Sequence, residues 1–505
     1  MAAHSVILFC LQMINKLHSL KWIIWSKQMS DHKIDSVDKE AGQKKKFEMP
    51  HIYVILFVFS AIAAILTHFI PSGKYDRVLG PEGRTTIDAT SYHLIEQTPV
   101  GITEFLTAVP RGLIDAGEVV FFTFIIGGMF MVLRRTGIIE VVVDKLARRF
   151  ANNGLLLIAV LTTTFAFIAT LIGTPELSLV YIPVIMPLII ALGYDSVTAA
   201  AISLCGTGAG FSAGVLNPIN TGLGQKLSGL PVFSGMGLRS VVFVLAVTAV
   251  VFFIIRYAKK VKKDPSKSYV YEEDSEKRIE FNQIVGGTAL TMTYRQKLAA
   301  YATLILFAVL VYGVLQQGWF MIEMSGLFVI MGIVVGLIAG LKLTEICEGF
   351  NQGFKDVLMG AFIVGLARAV AVVLEDGNVM DTLVHSLGTL VGDLPPELAA
   401  VGMYFVQTAI NFVISSGSGQ ALVTMPIMAP LADLVGVTRQ TAVLAYQLGD
   451  GFTHVLFPTS GYFMAALVIA GVPYQKWLRF FLPLFAVWAM IAIGSLIVAQ
   501  MIGWS

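Results

Sequence analysis

Charged residues are scarce in this chain of 505 residues: Asp, Glu, Lys and Arg make up 13% of it, whereas hydrophobic residues make up 56%. The mean hydropathy of +0.76 leaves too little polar surface for a soluble domain. Apolar stretches near the length of a bilayer crossing recur along nearly the whole chain, as at 52–69, 119–133 and 238–255. The sequence therefore predicts an all-α polytopic membrane protein.

The chain also lacks the residue patterns that several other protein classes need. Its three cysteines, Cys10, Cys205 and Cys347, lie far apart and show neither metal-ligand spacing nor the even number of a disulfide framework. The sequence contains no HExxH zinc pattern and no GxxxxGK[ST] phosphate loop. A formal net charge of +2 gives no basis for nucleic-acid binding. We expect a small-molecule substrate and the lipid bilayer as partners, no cofactor beyond a coupling Na⁺ or H⁺, and we leave a homodimer open.

Basic clusters predict how the chain is oriented in the membrane. Lys44, Lys45 and Lys46 precede the first apolar stretch, so the positive-inside rule places the N-terminus in the cytoplasm of a multi-pass protein of the inner (plasma) membrane. The basic stretch from Arg256 to Lys267 is predicted on the same side.

The predicted organisation has four parts. They are an N-terminal cytoplasmic segment over 1–49, a first transmembrane repeat over 50–257, a cytoplasmic loop over 258–296 and a second transmembrane repeat over 297–505. We expect Met29 to be the biological start and 1–28 to be a mis-called extension; an interfacial amphipathic helix is the alternative.

Prolines and glycines predict two hairpins that enter the membrane and turn back. The region 154–192 carries Pro183 and Pro187 after a turn at 173–176, which favours a hairpin over two full crossings. Pro426 and Pro430 follow a second turn at 415–420, within a predicted hairpin near 397–436.

The two hairpin regions are similar to each other in sequence. Without gaps, Pro183 aligns with Pro426, Gly206 with Gly449 and Gly208 with Gly451. Such an ordered series indicates a duplication, and charge parity makes the two copies opposite in orientation. The sequence therefore predicts an inverted-topology repeat with two re-entrant hairpins, two broken helices, about nine full crossings and an external C-terminus.

Non-helical backbone within a bilayer is tolerated only where protein or a water-filled cavity satisfies it. Four such places are predicted: the two turns, a break at Gly206–Gly214 with Asn217 and Pro218, and a break at Gly449–Gly451 with Pro458. Polar residues at these places and ionisable residues at membrane depth are the candidate substrate- and ion-binding residues. They are Thr174, Glu176, Ser178, Thr207, Ser212, Asn217, Asn220, Thr221, Arg368, Asn411, Ser416, Ser418, Asp450, Thr453, His454, Thr459 and Ser460. A Na⁺ site is predicted at Thr174, Thr207, Ser416 and Asp450.

The ionisable candidates suggest specific roles. Glu176 and Asp450 are suited to bind a cation or a substrate amine or guanidinium, and His454, one turn after Asp450, is suited to relay protons or to pack. Arg368 has two equal interpretations, a clamp for a substrate carboxylate or a structural partner of one of those acids. A further group, which lies near span ends, is interpreted as solvated surface charge: Glu323, Glu375 and Asp376.

Three segments resemble a known family. GTGAGFSAGVLNPINTGL from Gly206, GDGFTH…PTSGYF from Gly449 and EMPHIYVILF from Glu48 are similar to the YfcC-like branch of the C4-dicarboxylate anaerobic carrier (DcuC) family of the ion-transporter superfamily. The resemblance implies a scaffold and a transport part, with substrate and cation sites at hairpin tips and breaks, and basic amino-acid antiport. Two departures argue against Na⁺ coupling. The Ser-Asn-Thr hairpin signature is replaced at 173–175 and 416–418, and His454 stands where asparagine is expected.

Charge balance guides the functional prediction. One arginine among two acids suits an amino acid such as arginine or ornithine better than a C4-dicarboxylate, which is kept as the alternative together with other organic anions. An intramembrane hydrolase is the remote alternative. Asp450 lacks the glycine that an aspartyl protease pattern needs at Gln447, and Ser418 lacks an activating histidine. We therefore predict a secondary transporter, antiporter or ion-coupled symporter, and not an enzyme.

Overall fold

The computed structural model describes residues 52–79, 85–88, 90–286, 290–391 and 394–504. The predicted N-terminal segment 1–49, with its start at Met29, lies outside these residues. Most of the described chain is helical, as an apolar sequence with few strand signals predicts.

The first half contains nine helices among the described residues. They are α1 (Ile52–Leu66), α2 (Ile102–Asp115), α3 (Gly117–Arg135), α4 (Ile138–Phe150), α5 (Gly154–Ile172), α6 (Ser178–Ala191), α7 (Ser196–Ala213), the short α8 (Leu223–Leu227) and α9 (Met236–Lys263). Four short strands between α1 and α2 form two antiparallel pairs. Strand β1 (Gly73–Lys74) pairs with β4 (His93–Leu94), and β2 (Arg77–Leu79) pairs with β3 (Thr85–Ile87).

The second half begins with α10 in the loop between the repeats. The helices are α10 (Ser275–Gly286), α11 (Tyr294–Gln317), α12 (Met321–Ala339), α13 (Leu343–Asp376), α14 (Met380–Thr389), α15 (Pro396–Val413), α16 (Gly417–Leu434), α17 (Arg439–Thr453), α18 (Gly461–Ala470) and α19 (Tyr474–Met501).

Eight of the described helices are long and apolar enough to cross a membrane: α3, α5, α7, α9, α11, α12, α13 and α19. The predicted all-α polytopic class is therefore confirmed. Helix α5 is one arm of the first predicted hairpin, whereas α1 and α17, which hold predicted crossings, are shorter. The count of nine crossings stays a prediction.

The helices pack in two groups. Helix α13 packs against α1, α2 and α3, and α12 packs on α3. In the second group α5, α7 and α9 pack together, and α15, α16 and α19 pack around α17. Helix α18 contacts both groups through α13 and α7. This arrangement fits the scaffold and transport parts that the family resemblance implies.

Equivalent helices of the two halves begin in the same way and pack on their own hairpins through equivalent glycines. The Asp195 side chain caps α7 at the N–H of Thr198, and Thr438 caps α17 at the N–H of Thr441. A Cβ on Gly206 would lie 2.9 Å from the Thr162 carbonyl oxygen of α5. A Cβ on Gly449 would lie 2.9 Å from the Tyr404 carbonyl oxygen of α15.

Helix α7 packs against α17 and the turn that follows α17 through a reciprocal pair of contacts. A Cβ on Gly451 would lie 2.7 Å from the Ser212 Cα, and one on Gly208 would lie 3.9 Å from the Val455 Cγ1. Gly208 is equivalent to Gly451 and Ser212 to Val455, so each contact is the image of the other. A two-fold relation between the halves requires this reciprocity.

The two helix breaks lie at the later end of the segments in which the sequence predicts them. Helix α7 continues through Gly206–Gly210 and ends only at Gly214, whose φ is +56°. Helix α17 continues through Gly449–Gly451 and ends at Thr453. The prediction was wrong for the glycines at 206–210 and 449–451, because these glycines serve close helix packing within an intact helix rather than a change of backbone direction. The interruptions occur at Gly214 with Asn217 and, in the second half, in the segment that contains Pro458.

Substituting Gly449 tests this packing. Gly449→Ala gains helix propensity but places a methyl group against backbone atoms of Tyr404 and Thr408, 2.9 and 3.0 Å away. We expect a net loss of about 1–3 kcal/mol, measured as a lower melting temperature in detergent. Gly494→Ala in α19, where a Cβ meets nothing within 4 Å, is the control and should melt no lower than the wild type. A Gly449→Ala protein as stable as this control would contradict the packing role.

Candidate functional site at the hairpin tips

The first turn docks against the break of its own half. Gly173 ends α5 with φ +77°, Thr174 is extended, and a short 3₁₀ turn at Pro175–Leu177 leads into α6. Gly173 lies so close to the Asn217 amide that a Cβ there would collide with it. The first tip is therefore held by the non-helical segment that follows α7.

The second turn docks in the equivalent way and also reaches the first half. Ser415 Oγ donates a hydrogen bond of 3.0 Å to Thr459 Oγ1 in the break after α17. Gly417 lies against the Asn220 amide, and a Cβ on it would be 2.9 Å from Asp450 Oδ2. Both hairpin tips and both breaks thus converge on one region, as the sequence predicts.

Asp450 is the centre of a buried polar network. Asn411 Nδ2 donates to its Oδ1 at 2.6 Å, and Asn220 Nδ2 donates to its Oδ2 at 3.4 Å. His454 Nε2 lies 3.0 Å from Oδ1. Thr453 Oγ1 donates to Asn411 Oδ1 at 3.1 Å, which orients the amide toward the carboxylate. The Asp450 carboxylate is fully buried, so these polar neighbours replace its solvent.

A cavity of about 970 Å³ runs from the strands at Gly73–Arg77 to the two tips. Eight of the predicted site residues line it: Thr174, Glu176, Asn220, Arg368, Ser416, Ser418, His454 and Thr459. The other nine lie buried behind its wall: Ser178, Thr207, Ser212, Asn217, Thr221, Asn411, Asp450, Thr453 and Ser460. The roles of all seventeen in binding stay predictions.

Hydroxyl groups near the tips fall into two classes. Ser212 donates to the Gly208 carbonyl and Thr453 to the Gly449 carbonyl, each at 2.6 Å, which is ordinary helix bonding. In contrast, several buried hydroxyls have no hydrogen-bond partner within the described residues: Thr174, Ser178, Thr207, Thr221 and Ser460. Buried polar groups are normally satisfied, so these oxygens retain the capacity to accept or donate a further hydrogen bond.

The four residues of the predicted Na⁺ site contribute oxygen atoms from both halves. Thr174 and Thr207 belong to the first half, and Ser416 and Asp450 to the second. Oxygen ligands suit a hard cation. In the described part of the chain, no three His, Cys, Asp or Glu residues come close enough to hold a metal ion. Sodium binding stays a prediction.

Two acidic residues that the sequence analysis did not name, Asp115 and Glu118, line the same cavity as Arg368. Arg368 pairs with Glu375 (Nη2–Oε1, 3.1 Å) and with Asp115 (Nε–Oδ2, 3.7 Å), and Glu118 also lines the wall. Arg368 therefore pairs with neither Glu176 nor Asp450. Glu375, interpreted from the sequence as a solvated surface charge, has a side chain that is 46% exposed and lies in the cavity wall beside Arg368. Asp115 and Glu118 lie on either side of the junction of α2 and α3. Two acids that interrupt an apolar part of the sequence were the sequence feature that could have indicated them as site residues.

The strand pairs cap the mouth of the cavity. Arg77 forms a bidentate ion pair with Asp381 of α14 at 3.0 Å, and the Tyr75 backbone N–H donates to the same carboxylate at 3.0 Å. Burial, with a smaller effect of Asp381, raises the pKa of Tyr75 above its ordinary value. The Tyr75 hydroxyl therefore stays protonated, 2.8 Å from the ring nitrogen Nδ1 of His385.

The sequence profile of the C4-dicarboxylate anaerobic carrier family, DcuC, matches residues 49–501. The chain belongs to this family. A DcuC relative from Escherichia coli strain K12, named "Putative basic amino acid antiporter YfcC", is 30% identical over 506 aligned positions, which cover 92% of this chain and 99% of that protein. An uncharacterized protein of Haemophilus influenzae is 28% identical and covers 91% of this chain and 98% of its own.

Two solved transporters align along most of this DcuC-family chain. The YdaH transporter of Alcanivorax borkumensis is 15% identical, with 90% of this chain and 99% of that chain covered and a TM-score of 0.41. MtrF of Neisseria gonorrhoeae, described as one of a class of antimetabolite efflux pumps, is 16% identical, with 90% and 95% covered and a TM-score of 0.40.

Cysteine labelling tests the geometry of the cavity. In a Cys10→Ser/Cys347→Ser background, which keeps the buried Cys205, Ser416→Cys should react with a membrane-impermeant maleimide because Ser416 is exposed in the cavity. Thr207→Cys should not react, since that side chain is 1% exposed. The measurement is made on right-side-out and inside-out vesicles. Labelling of Ser416→Cys only from the cytoplasmic face would contradict the predicted sidedness.

Proposed function

We propose that this chain is a secondary transporter of the inner membrane that carries amino acids with a cationic group, such as arginine or ornithine, by exchange or by ion-coupled symport. The observation that supports this proposal most is the charge of the cavity that leads to the hairpin tips. Five acidic residues line it, Asp115, Glu118, Glu176, Glu375 and Asp381, against three lysines and arginines, Lys74, Arg77 and Arg368. A lining of this charge attracts cations and raises their local concentration.

The floor of the cavity suits the two ends of an amino acid. Glu176 has a buried Oε2 with no hydrogen-bond partner in the described structure, which is a position for an amino or guanidinium group. A substrate carboxylate could accept hydrogen bonds from the first N–H groups of α16, which begins at Gly417 in the cavity wall. Arg368 is the other candidate for the carboxylate, although two acids already neutralise it.

A C4-dicarboxylate is the second candidate substrate. The family description favours it, and Lys74, Arg77 and Arg368 line the same cavity. Two of these three cations are paired with carboxylates, since Arg77 binds Asp381 and Arg368 binds Glu375. A dianion would have to displace these partners, whereas a cationic substrate meets Glu118 and Glu176, for which the described structure shows no ion pair. We therefore place the amino acid first.

Alternating access follows from the two-fold arrangement of the halves. We propose that the two hairpins are re-entrant, that they approach the site from opposite sides of the membrane and that the cytoplasmic N-terminus sets this orientation. The cavity reaches the tips from the side of the β1 to β4 strands, which is the predicted exterior. We further propose that the coupling cation, Na⁺ or H⁺, acts at Asp450, because its buried carboxylate is held by neutral amides and His454.

Removing the Asp450 charge tests the transport site. Asp450→Asn should abolish exchange of labelled arginine in proteoliposomes while the protein remains folded and monodisperse, because the amide keeps the shape of the carboxylate but not its charge. Asp433→Asn is the control, since Asp433 is an exposed acid of α16 that pairs with Arg439 outside the cavity. Arginine, succinate and sodium dependence are measured together. Exchange by Asp450→Asn at the wild-type rate would remove Asp450 from the mechanism.

Neutralising Glu375 tests substrate charge. Glu375→Gln removes one carboxylate from the cavity wall. It also removes the ion pair between Arg368 Nη2 and Glu375 Oε1, which are 3.1 Å apart. If the substrate is cationic, we expect the KM for arginine to rise about tenfold, on the order of 1.4 kcal/mol, and inhibition by succinate to strengthen. Glu323→Gln, an acid outside the cavity lining that caps α12, should leave both values unchanged. Weaker arginine transport with the control equally affected would reject the electrostatic explanation.

A further inference from the structure

A second cavity, of about 560 Å³, lies between the start of α5 and the end of α9, away from the transport site. Three lysines on the last turns of α9, Lys259, Lys262 and Lys263, line one side. Asn152, Asn153 and Tyr194 line the other side. No acidic side chain belongs to the described lining, so the cavity presents only positive charge and neutral donors.

The three lysines are not neutralised by neighbouring acids. None of them forms an ion pair within the described ranges, and the acid next in sequence, Asp264, pairs instead with Lys267 at 3.3 Å. The Lys262 ammonium lies 5.1 Å from the centre of the Tyr194 ring, a cation–π distance that holds it over the cavity. Three like charges so close together repel one another unless an anion lies between them.

Backbone donors face the same cavity. Asn153 precedes α5 but its side chain makes no capping hydrogen bond, and Gly154, Leu155 and Leu156 line the cavity wall. The first N–H groups of a helix have no partner inside the helix. Together with the ammonium groups, they match the several acceptor oxygens of a phosphate group.

The same two helices also expose large apolar side chains. Leu156 of α5 is 58% exposed and Phe252 of α9 is 67% exposed. Both helices are long and apolar enough to span the bilayer, and the lysines begin where the apolar part of α9 ends. A ligand with a phosphate group and acyl chains would therefore meet matching chemistry along its whole length.

We propose that this cavity binds the phosphate group of an anionic phospholipid, with the acyl chains lying along α5 and α9. The shared chemistry, a phosphate with free acceptor oxygens, also occurs in soluble phosphates, but only a lipid uses the apolar surface below the lysines. The bound lipid would join the base of the first hairpin arm to α9. This inference is independent of the transported substrate.

Lipid binding to matched variants tests the proposal. The purified full-length protein is titrated with phosphatidylglycerol, phosphatidylcholine and inorganic phosphate, and binding is followed by native mass spectrometry and by the melting temperature. The variant Lys259→Gln/Lys262→Gln/Lys263→Gln removes the cavity charges. The control Arg256→Gln/Lys260→Gln/Lys267→Gln removes three charges from the same basic stretch outside the cavity lining.

We expect phosphatidylglycerol to bind the wild type and the control and to raise their melting temperatures. Each lysine near an anionic lipid contributes about fivefold to the affinity, so the cavity variant should bind phosphatidylglycerol at least tenfold more weakly. It should keep its monodisperse state and its transport rate. Equal loss in both triple variants would reduce the effect to general surface charge and overturn the site. Stabilisation by inorganic phosphate that phosphatidylglycerol does not match would overturn the lipid assignment.

Discussion

The hydrogen-bonding requirement of the backbone within lipid is the constraint on which the rest of the structure depends. A chain that turns or breaks at membrane depth must find its partners in protein, because lipid offers none. Here each turn packs against the break of its own half, since Gly173 lies against the Asn217 side chain and the Ser415 hydroxyl donates a hydrogen bond to the Thr459 hydroxyl. Four irregular segments therefore gather in one place. The polar side chains of these segments are therefore brought together, and the candidate site consists of them.

Close helix packing makes this gathering possible. Gly206 and Gly449 let α7 and α17 approach the backbone of α5 and α15, and the crossing of α7 with α17 brings Gly451 against Ser212. Dispersion forces and the absence of voids hold such contacts where the hydrophobic effect between helices is weak. Asp450 lies one residue before this crossing, and its carboxylate is buried beside the close contact of the two helices. Asn411, Asn220 and His454 then replace water around it.

The sequence predicted what depends on local signals. The membrane class follows from hydropathy, and the two turns at 173–176 and 415–420 follow from prolines and glycines, which act on their own backbone. The breaks were placed too early because a glycine inside a helix and a glycine at its end look alike until the neighbouring helix is known. Asp115 and Glu118 were missed for a similar reason. Asp115 meets Arg368 only through the packing of α2 on α13, which one sequence does not reveal, whereas Glu375 lies seven residues after Arg368 in the same helix.

The two halves have equivalent helices but differ in where their charged residues lie. Asp450 occupies the position in α17 that Thr207 occupies in α7, so one buried carboxylate lies beside an axis that relates two otherwise equivalent frameworks. If a rocking motion exchanges the roles of the halves, as reciprocal contacts at the crossing permit, the same carboxylate remains at the centre in both states. A single acid can then meet a cation from either side. A second acid at Thr207 would instead place two like charges near the axis, where burial makes their repulsion large.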